Sequence, residues 1–473
     1  MMSNPNEEGI MILLRRFTLL LVTLALATAA GFATGTAEEP AAQEQEAAQV
    51  TLWTTEEQPE RLEVQRSINS SFTEATGIEA EVVPVTENQL GERATAAFSA
   101  GELPDVIFHP LNFALTWYES GILDATAAAE VVEELGEGTF GAGALDLVET
   151  SDGYASVPLS GWTQLLVYRK DLFNEAGLEP PTTYEAVRAA IEELHNPPEM
   201  YGFVAATDPS QVYMMQVFEH VALANGASVV DANGNVDVTG QEWTETLEFY
   251  KELAEASPQG NLYWQQSREL YFAGDAAMVI WSPFIMDELA GLRDSVPVTA
   301  FDDPTSRQLA DNTSFITKFA GPSNQEGSGW TEVAYQGITV DADTDAAQQF
   351  VGYSLTEGYV DTLGMAAEGK FPVRSGTTSD QDRFVDAWSQ LEVGVDRTAS
   401  LGDIYGEQTI DRLLEGFETG TRWGFAEGYG SLTSQLYETR VIAELVREYI
   451  DGERTVEETQ EAMQSEIESL MGS

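Results

Sequence analysis

The sequence predicts an α/β protein with two lobes, each built as a layered sheet with helices. Short apolar runs alternate with amphipathic stretches along the chain, which favours α/β layers over a sandwich or a helical bundle. One extended segment, 156–168, contains Pro158 and Gly161, and these residues disfavour a single flat central strand. We interpret this segment as a crossing from one lobe into the other. The 473 residues suffice for two domains with full cores.

The N-terminus has the pattern of a secretory signal. Arg15 and Arg16 precede an apolar run over 17–33, and small residues follow at 35–37. A positive region, a hydrophobic region and a small-residue cleavage site define a signal peptide. We therefore predict a signal peptide over 1–37 and a flexible Ala/Glu/Gln linker over 38–49. An uncleaved anchor is the alternative.

The first part of the mature chain alternates between strands and helices. Gly77, Gly101 and Gly121 follow the three helical patterns and predict their C-terminal ends. The predicted elements are strand 50–53, helix 58–76, strand 78–85, helix 89–100, strand 105–108 and helix 111–120.

The same alternation continues after the crossing. The predicted helices are 184–195, 210–225, 241–256, 266–273 and 345–355, and the predicted strands are 276–281, 296–301 and 335–340. Residues 306–329 are predicted to be irregular, and residues 383–470 mostly helical. Pro372 marks a second change of direction. We divide the chain into a first lobe (50–158), a second lobe (159–329), a return to the first lobe (330–372) and a C-terminal helical part of the second lobe (373–473).

The charge of the chain is strongly negative. It carries 79 acidic and 22 basic residues, for a formal net charge of −57. Nucleic-acid binding is excluded as a function because phosphate recognition needs a basic surface. We interpret the acidity as a halophilic surface, since the Debye length falls from about 10 Å at 0.1 M salt to about 3 Å at 1 M. Ordinary acidity for solubility is the alternative.

The residue inventory favours neither a metal site nor a catalytic site. The chain has no cysteine and three histidines that are far apart in sequence, so a zinc cluster is not expected. Asp231, Asn233, Asn235 and Glu242 have the spacing of calcium-loop ligands, but Val236 occupies the position that requires glycine. The Asn-Gly pair favours a hairpin turn instead. We predict no metal, no cofactor and no enzymatic activity, because carboxylate pairs arise by chance in so acidic a chain.

Several motifs of this sequence carry a family resemblance. They are Ala100–Val106 (AGELPDV), Trp117–Leu123 (WYESGIL), the stretch 157–184 with its KDLF, AGL and PPTTY runs, Tyr271–Trp281 (YFAGDAAMVIW), Ala346–Phe350 (AAQQF) and Phe371–Arg374 (FPVR). In this order they resemble family 1 of the extracellular solute-binding proteins of ABC importers, the maltose-binding-protein-like sugar-binding group. The resemblance covers the chain from about Val50 to its C-terminus.

The resemblance implies a fold and a function. The fold would be the two-lobed type II periplasmic-binding-protein fold, with hinge crossings between the lobes. The protein would be secreted, at the cell surface or periplasmic. It would capture a mono- or oligosaccharide by hinge closure, as a monomer, and deliver it to the membrane subunits of an ABC permease. Two alternatives stay open: a secreted glycan-binding or sensory protein without a transporter, and a glycoside hydrolase.

Candidate ligand-binding residues were sought at strand ends and crossings. Proteins bind sugars through aromatic faces that stack on the sugar ring and through polar side chains that form hydrogen bonds with its hydroxyl groups. Trp162 and Gln164 lie on the predicted crossing, and Trp281 ends a strand that Pro283 terminates. The further candidates are Trp53 and Glu56 after the first strand, His109 and Asn112 after the strand 105–108, Trp330 at the return to the first lobe, Arg374 after Pro372, and Trp423 in a glycine-rich loop.

The resemblance bears on some of these candidates directly. It places polar ligand contacts in the loop of Glu56 and after the strand that precedes His109, and a sugar-stacking tryptophan near Trp281. For Arg374 it implies either a ligand contact or a pin at the second hinge. Core packing is the competing interpretation of every tryptophan, and we assign Trp117, Trp243, Trp264 and Trp388 to packing because they lie in helical patterns.

Overall fold

The computed structural model describes residues 48–141 and 143–472. The predicted signal peptide and the predicted linker up to residue 47 lie outside the described residues. Within the described part of the chain, no helix combines the length and the apolar character needed to cross a membrane.

The strands of the described chain are short. In chain order they are β1 Gln49–Thr54, β2 Glu79–Pro84, β3 Val106–Pro110, β4 Glu149–Thr150, β5 Gly153–Tyr154, β6 Val157–Thr163, β7 Leu165–Arg169, β8 Met278–Trp281, β9 Thr313–Ile316, β10 Phe319–Gly321, β11 Asn324–Ser328, β12 Thr331–Ile338, β13 Phe371–Pro372, β14 Glu392–Val393 and β15 Ala399–Ser400.

Helices fill most of the chain between them. They are α1 Pro59–Thr76, α2 Glu87–Ala100, α3 Leu111–Glu119, α4 Ala125–Leu135, α5 Lys170–Ala176, α6 Tyr184–Leu194, α7 Val212–Ala224, α8 Gln241–Glu255, α9 Trp264–Ala273, α10 Met286–Leu289, α11 Gln308–Asp311, α12 Thr344–Ser354, α13 Tyr359–Gly364, α14 Arg383–Ser389, α15 Leu401–Tyr405, α16 Glu407–Thr419, α17 Gly430–Thr439, α18 Val441–Ile450 and α19 Val456–Met471.

A six-stranded sheet forms the centre of the first lobe. Its strand order is β13-β6-β12-β3-β1-β2. β1 is parallel to β2 and β3, as the strand–helix alternation predicts, whereas β12 is antiparallel to both β3 and β6. The predicted α/β class is confirmed, but the sheet is mixed, because β12 and β13 run against the direction of the other four strands.

Pro158 and Gly161 lie inside β6 of this sheet. The β6–β12 register shifts between Ala334 and Tyr335, opposite Pro158, and such a bulge tolerates a proline. A Cβ atom on Gly161 would lie 2.3 Å from the ring of Phe417. Glycine is therefore needed there so that α16 can approach the strand.

The second lobe contains a smaller sheet. β7 is its central strand and is antiparallel to both β8 and β9. Its core packs α6, α7 and α8 with the C-terminal helices α17 to α19, around residues such as Tyr184, Phe218, Trp243 and Tyr250.

The chain passes between the two sheets near three residues. Gln164 alone separates β6 from β7, and Trp330 directly precedes β12. Thr421 forms a parallel bridge with Trp330, between α16, which packs near β6, and α17, which packs in the second lobe. The described chain therefore has the two-lobed architecture with neighbouring crossings.

Two predictions of secondary structure were wrong. Residues 296–301 form no strand, because the N–H groups of Thr299 and Ala300 donate to the carbonyl of Phe272 at the end of α9. Residues 306–329 are not irregular, since they contain β9 and the β10–β11 hairpin. The polar composition of this segment concealed the pairing of β9 with β7.

The C-terminal part divides between the lobes. Arg374 donates to Thr139 and to the carbonyls of Leu355 and Leu135, which belong to segments around the first sheet. Trp388 packs on Phe371 of β13. These contacts hold residues 374–388 against the first lobe and differ from the predicted placement of all of 373–473 in the second.

The Asp231–Asp237 loop is a closed turn. The side chain of Asp231 accepts the N–H groups of Asn233 and Asn235 at 2.8 and 2.9 Å. Val230 and Val236 form an antiparallel bridge. This pairing agrees with a hairpin turn in this segment. Within the described residues, no group of three or more His, Cys, Asp or Glu side chains is placed to hold a metal.

Candidate ligand-binding cleft

Five partly exposed aromatic side chains lie next to the first crossing. We call this group the aromatic cluster: Trp162, Tyr263, Trp264, Trp281 and Phe284. Trp281 pairs with Leu165 across β7 and β8, which brings the end of β8 close to Trp162. The ring of Trp162 contacts Phe284 at 6.4 Å between centroids. The cluster thus gathers aromatic side chains from both sheets.

Trp281 is at the centre of the cluster. Its ring stacks on Trp264 at 5.3 Å and 13° and meets the edge of Tyr213 at 4.9 Å. The sequence assigned Trp264 to packing, yet it is partly exposed and forms part of this surface. The adjacent Tyr263 and Trp264 at the start of α9 were the available signal, because ligand pockets are lined mainly by hydrophobic and aromatic side chains.

A cavity of about 630 Å³ lies beside the cluster. The first lobe contributes α2 and the start of α3 to its lining, and the second contributes Val212 and the end of α17. Asn112 faces this cavity, is 7% exposed, and has no hydrogen-bond partner for its side chain among the described residues. Of the predicted site residues, Asn112 lines this cavity, and Trp162 and Trp281 are partly exposed in the aromatic cluster.

Glu87 also lines this cavity. Its side chain is exposed to solvent. The enclosing walls, together with Glu332, Glu56 and Glu57, raise the pKa of Glu87 to about 7. Glu87 is not among the residues predicted from the sequence, because no local pattern distinguishes one glutamate from another in so acidic a chain.

Trp330 and Trp423 do not fit a stacking role. Both are fully buried. The indole N–H of Trp330 donates to Glu219 at 2.8 Å, and its ring lies between Arg422 and Trp162. Trp423 donates to the carbonyl of Ala227. Neither ring has a free face for a sugar, so both are structural in this conformation.

Trp53 and His109 are core residues of the first lobe. Trp53 packs in a small cluster under the guanidinium of Arg93, 4.2 Å away. His109 is fully buried, and its ring nitrogens lie 2.8 Å from Ser156 Oγ and from the Pro110 carbonyl oxygen. Burial lowers the pKa of His109 to about 4. The ring is therefore neutral, and both of its nitrogens are engaged within the protein.

Glu56, Arg374 and Gln164 are also engaged within the protein. Glu56 forms ion pairs with Lys370 at 2.5 Å and Arg61 at 2.9 Å. Burial by itself raises the pKa of Glu56. The two cations outweigh burial and lower the pKa to about 2. Arg374 is 1% exposed, and its guanidinium is engaged by Thr139, Leu355 and Leu135 of the first lobe. Gln164 is fully buried at the crossing.

The family follows from a comparison with known families. Residues 53–361 match the family described as bacterial extracellular solute-binding protein. This chain belongs to the bacterial extracellular solute-binding proteins. The resemblance seen in the motifs is confirmed. Members of this family bind solutes and are not enzymes, which removes the glycoside hydrolase alternative.

Relatives of this solute-binding protein belong to ABC transporters. It is 25% identical over 425 residues to the ABC transporter periplasmic-binding protein YcjN of Escherichia coli (strain K12), covering 88% of this chain and 90% of that protein. It is 26% identical over 215 residues to the amino-acid ABC transporter periplasmic-binding protein y4oP of Sinorhizobium fredii, covering 43% and 48%. The family places the protein outside the cytoplasmic membrane.

Solved structures share the fold of this solute-binding protein. Maltose-bound MalE3 of T. maritima superposes with a TM-score of 0.68 at 18% identity, covering 90% of this chain and 100% of that one. The GacH receptor of Streptomyces glaucescens gives 0.69 at 16%, covering 90% and 99%. A sugar transporter protein from Arthrobacter chlorophenolicus A6 with bound laminaribiose gives 0.68 at 16%, covering 89% and 99%. These similarities confirm the predicted two-lobed fold.

A buried ion group lies at the hinge of this solute-binding protein. Arg422 donates to Glu219 of α7 at 3.1 Å and to Glu332 of β12 at 2.8 Å. Glu332 also accepts the N–H of Leu111 at the start of α3, and Glu219 accepts the hydroxyl of Tyr437. Arg422 thus joins a helix of the second lobe to a strand of the first. No short stretch of the sequence predicts this group, since its members are far apart in the chain.

A second buried ion group joins α1 to the segment after β8. Arg293 pairs with Asp287 at 2.5 Å and with Glu60 of α1 at 3.0 Å. Glu368 lies 4.0 Å from Arg293 and is 1% exposed. Burial and the nearby Asp287 raise the pKa of Glu368 to about 8. Both groups thus use scarce basic residues to join segments that are far apart in the chain.

Proposed function

We propose that this chain is the substrate-binding component of an ABC importer that captures a mono- or oligosaccharide outside the membrane and delivers it to the permease. The observation that carries the proposal is the partly exposed aromatic cluster beside the crossings. Indole and phenol rings stack on the apolar C–H face of a pyranose, and sugar sites combine such rings with a few polar groups.

The related proteins support the same proposal. MalE3 was solved with maltose, the GacH receptor with acarbose, and the Arthrobacter protein with laminaribiose. The relative y4oP carries the name of an amino-acid transporter protein. An experiment must therefore decide which class of solute this chain binds.

The proposed mechanism is closure about the crossings. Residues near Gln164, Trp330 and Thr421 join the lobes, and the cavity is lined from both sides. A solute that contacts both lobes binds the closed state better than the open state and shifts the population toward it. The closed monomer would then dock on the permease. We further propose that residues 1–37 direct export and that the acidic surface is adapted to high salt.

A ligand screen tests this function. The purified protein is heated in molar salt with a panel of mono- and disaccharides, polyols and amino acids, while tryptophan emission is recorded. A ligand at 100 times its dissociation constant stabilises the folded state by about 2.7 kcal/mol. We expect one sugar to raise the midpoint and change the emission. A response only to amino acids, or to no compound in a folded sample, contradicts sugar capture.

A further inference from the structure

The cavity beside the aromatic cluster is lined by unbalanced charge. Three carboxylates line it, those of Glu87, Glu92 and Glu438, together with one guanidinium, that of Arg440. Among the described residues, none of the three carboxylates forms an ion pair. Thr116 Oγ1 lies 3.4 Å from Glu438, which is a long hydrogen bond.

This lack of cation partners contrasts with other carboxylates near the cleft. Glu56, Asp287, Glu219 and Glu332 each have an arginine or lysine within ion-pair distance. Basic residues are scarce in this chain, with 22 in total, and the fold places them on these carboxylates. The cavity carboxylates therefore differ from those that the protein itself neutralises.

A second observation points to a ligand in the same cavity. Asn112 is only 7% exposed and lines the cavity. Its side chain forms no hydrogen bond among the described residues. Because no protein group occupies it, this amide is free to bond to a molecule in the cavity. Its carbonyl oxygen can accept a hydrogen bond from an ammonium group, and its NH₂ can donate to a hydroxyl.

The cavity and the aromatic cluster adjoin. Val212 lines the cavity, and the next residue, Tyr213, contacts the ring of Trp281 at 4.9 Å. Glu87, Asp208 and Glu57 all act on the Tyr263 phenol, whose pKa is raised by burial and by these carboxylates. Carboxylates and aromatic faces together are the environment that stabilises an organic cation.

We propose that this cavity binds a protonated amine, and that the solute is an amine-bearing sugar whose ring stacks on the aromatic cluster. The amine contacts Glu87 and Glu438, and Asn112 accepts a further hydrogen bond from it. The sugar half of the proposal rests on the proposed function above, whereas the amine half rests on the cavity alone.

Matched sugar pairs test the proposal by calorimetry at pH 7 in molar salt. Glucose, galactose and mannose are compared with glucosamine, galactosamine and mannosamine, and with the neutral N-acetyl forms. Putrescine and ethanolamine serve as amines without a sugar ring. We expect at least one amino sugar to bind about tenfold more tightly than its parent and its N-acetyl form.

Four variants locate the effect. Glu87→Gln and Glu438→Gln should each reduce the preference for the amine several-fold, and Glu102→Gln, an exposed carboxylate outside the cavity lining, should leave it unchanged. Arg440→Asn should increase the preference, and asparagine suits the left-handed backbone there, with φ 56°. Thermal melting in molar salt shows that each variant is folded.

The outcomes separate the two halves of the proposal. Equal or tighter binding of the neutral sugars overturns the amine site and leaves sugar capture standing. Binding of putrescine or ethanolamine without any sugar overturns sugar capture and leaves the amine site. No binding of any compound by folded protein overturns both, and an equal effect of Glu102→Gln overturns the cavity as the source of selectivity.

Discussion

The backbone N–H of Gln164 donates to the carbonyl oxygen of Trp330 at 3.0 Å. Gln164 separates β6 from β7, and Trp330 separates the β10–β11 hairpin from β12 of the six-stranded sheet. The hydrogen bond therefore joins two crossings into one unit, and Thr421 adds the third through its bridge to Trp330. Motion of one lobe against the other must bend all three segments together.

Trp281 is expected to supply a stacking face for the solute. Trp281→Ala should weaken binding of a responding ligand by about 2 kcal/mol, roughly thirtyfold, as truncation of a central aromatic contact does. Trp281→Phe keeps an aromatic face and should lose much less. Calorimetric titration measures both, and equal losses for alanine and phenylalanine would argue against stacking.

Asn112 should contribute to ligand affinity but not to the free energy of unfolding. Asn112→Ala should weaken ligand binding while changing the free energy of unfolding by less than about 0.5 kcal/mol, because its side chain has no partner within the described protein. Asn225 is the matched control: it is fully buried and bonds to Glu242, Glu245 and Ser323. Asn225→Ala should cost about 1–3 kcal/mol of stability and leave affinity unchanged. The reverse pattern would remove Asn112 from the site.

Arg422 should be essential for stability. Arg422→Met leaves Glu219 and Glu332 buried without their cation, and loss of one partner of a buried pair costs about 3–5 kcal/mol. Arg454 is the control: its side chain is 36% exposed and, among the described residues, pairs with Glu448 alone, so Arg454→Met should cost less than about 1 kcal/mol. Denaturant unfolding in constant salt compares them. Similar losses would mean that the hinge ion group adds no stability.

Glu368 should make the stability depend on pH. Its folded pKa is raised to about 8 from 4.5, so the folded state holds a proton that the unfolded state releases. This group's contribution is therefore most favourable below pH 4.5 and is lost as the pH rises toward 8. Glu368→Gln should gain stability relative to the parent protein as the pH rises from about 5 to 8. Unfolding curves across this range measure the difference, with Glu102→Gln as the exposed control. A difference that is independent of pH would contradict the shift.

Salt should stabilise the fold. With a formal net charge of −57, repulsion between exposed carboxylates opposes the compact state at low salt. The thermal midpoint should rise as KCl or NaCl is increased from about 0.1 M to molar concentrations, because screening shortens the Debye length. A midpoint that does not change with salt would contradict the halophilic interpretation.

Predictions from the sequence were accurate where a feature depends on the backbone conformation of a single residue. Gly77 and Gly101 end α1 and α2 with φ of 79° and 66°, as their positions in the sequence predicted. The strand ending at Trp281 and the crossing near Gln164 were also placed closely. The same rules failed for residues 313–328, where pairing with β7 and the hairpin overrides a polar and irregular composition.

The sequence alone does not predict which tryptophans are exposed at the crossings and which are buried. Trp162 and Trp330 both lie at crossings, and both rings are in contact at 5.1 Å. Trp162 is partly exposed, whereas Trp330 is fully buried because Glu219 from α7 and Arg422 from beyond α16 close over it. No window of sequence around Trp330 contains those partners.

The sequence by itself determined the α/β class, the family and the acidic character, because periodicity, glycine positions, motifs and charge are carried by short stretches of the chain. Only the tertiary structure decided which candidates face the cleft. Burial depends on segments hundreds of residues apart, as when Arg422 meets Glu219 and Glu332, and the free energy of such a group is set by the neighbours that exclude water from it.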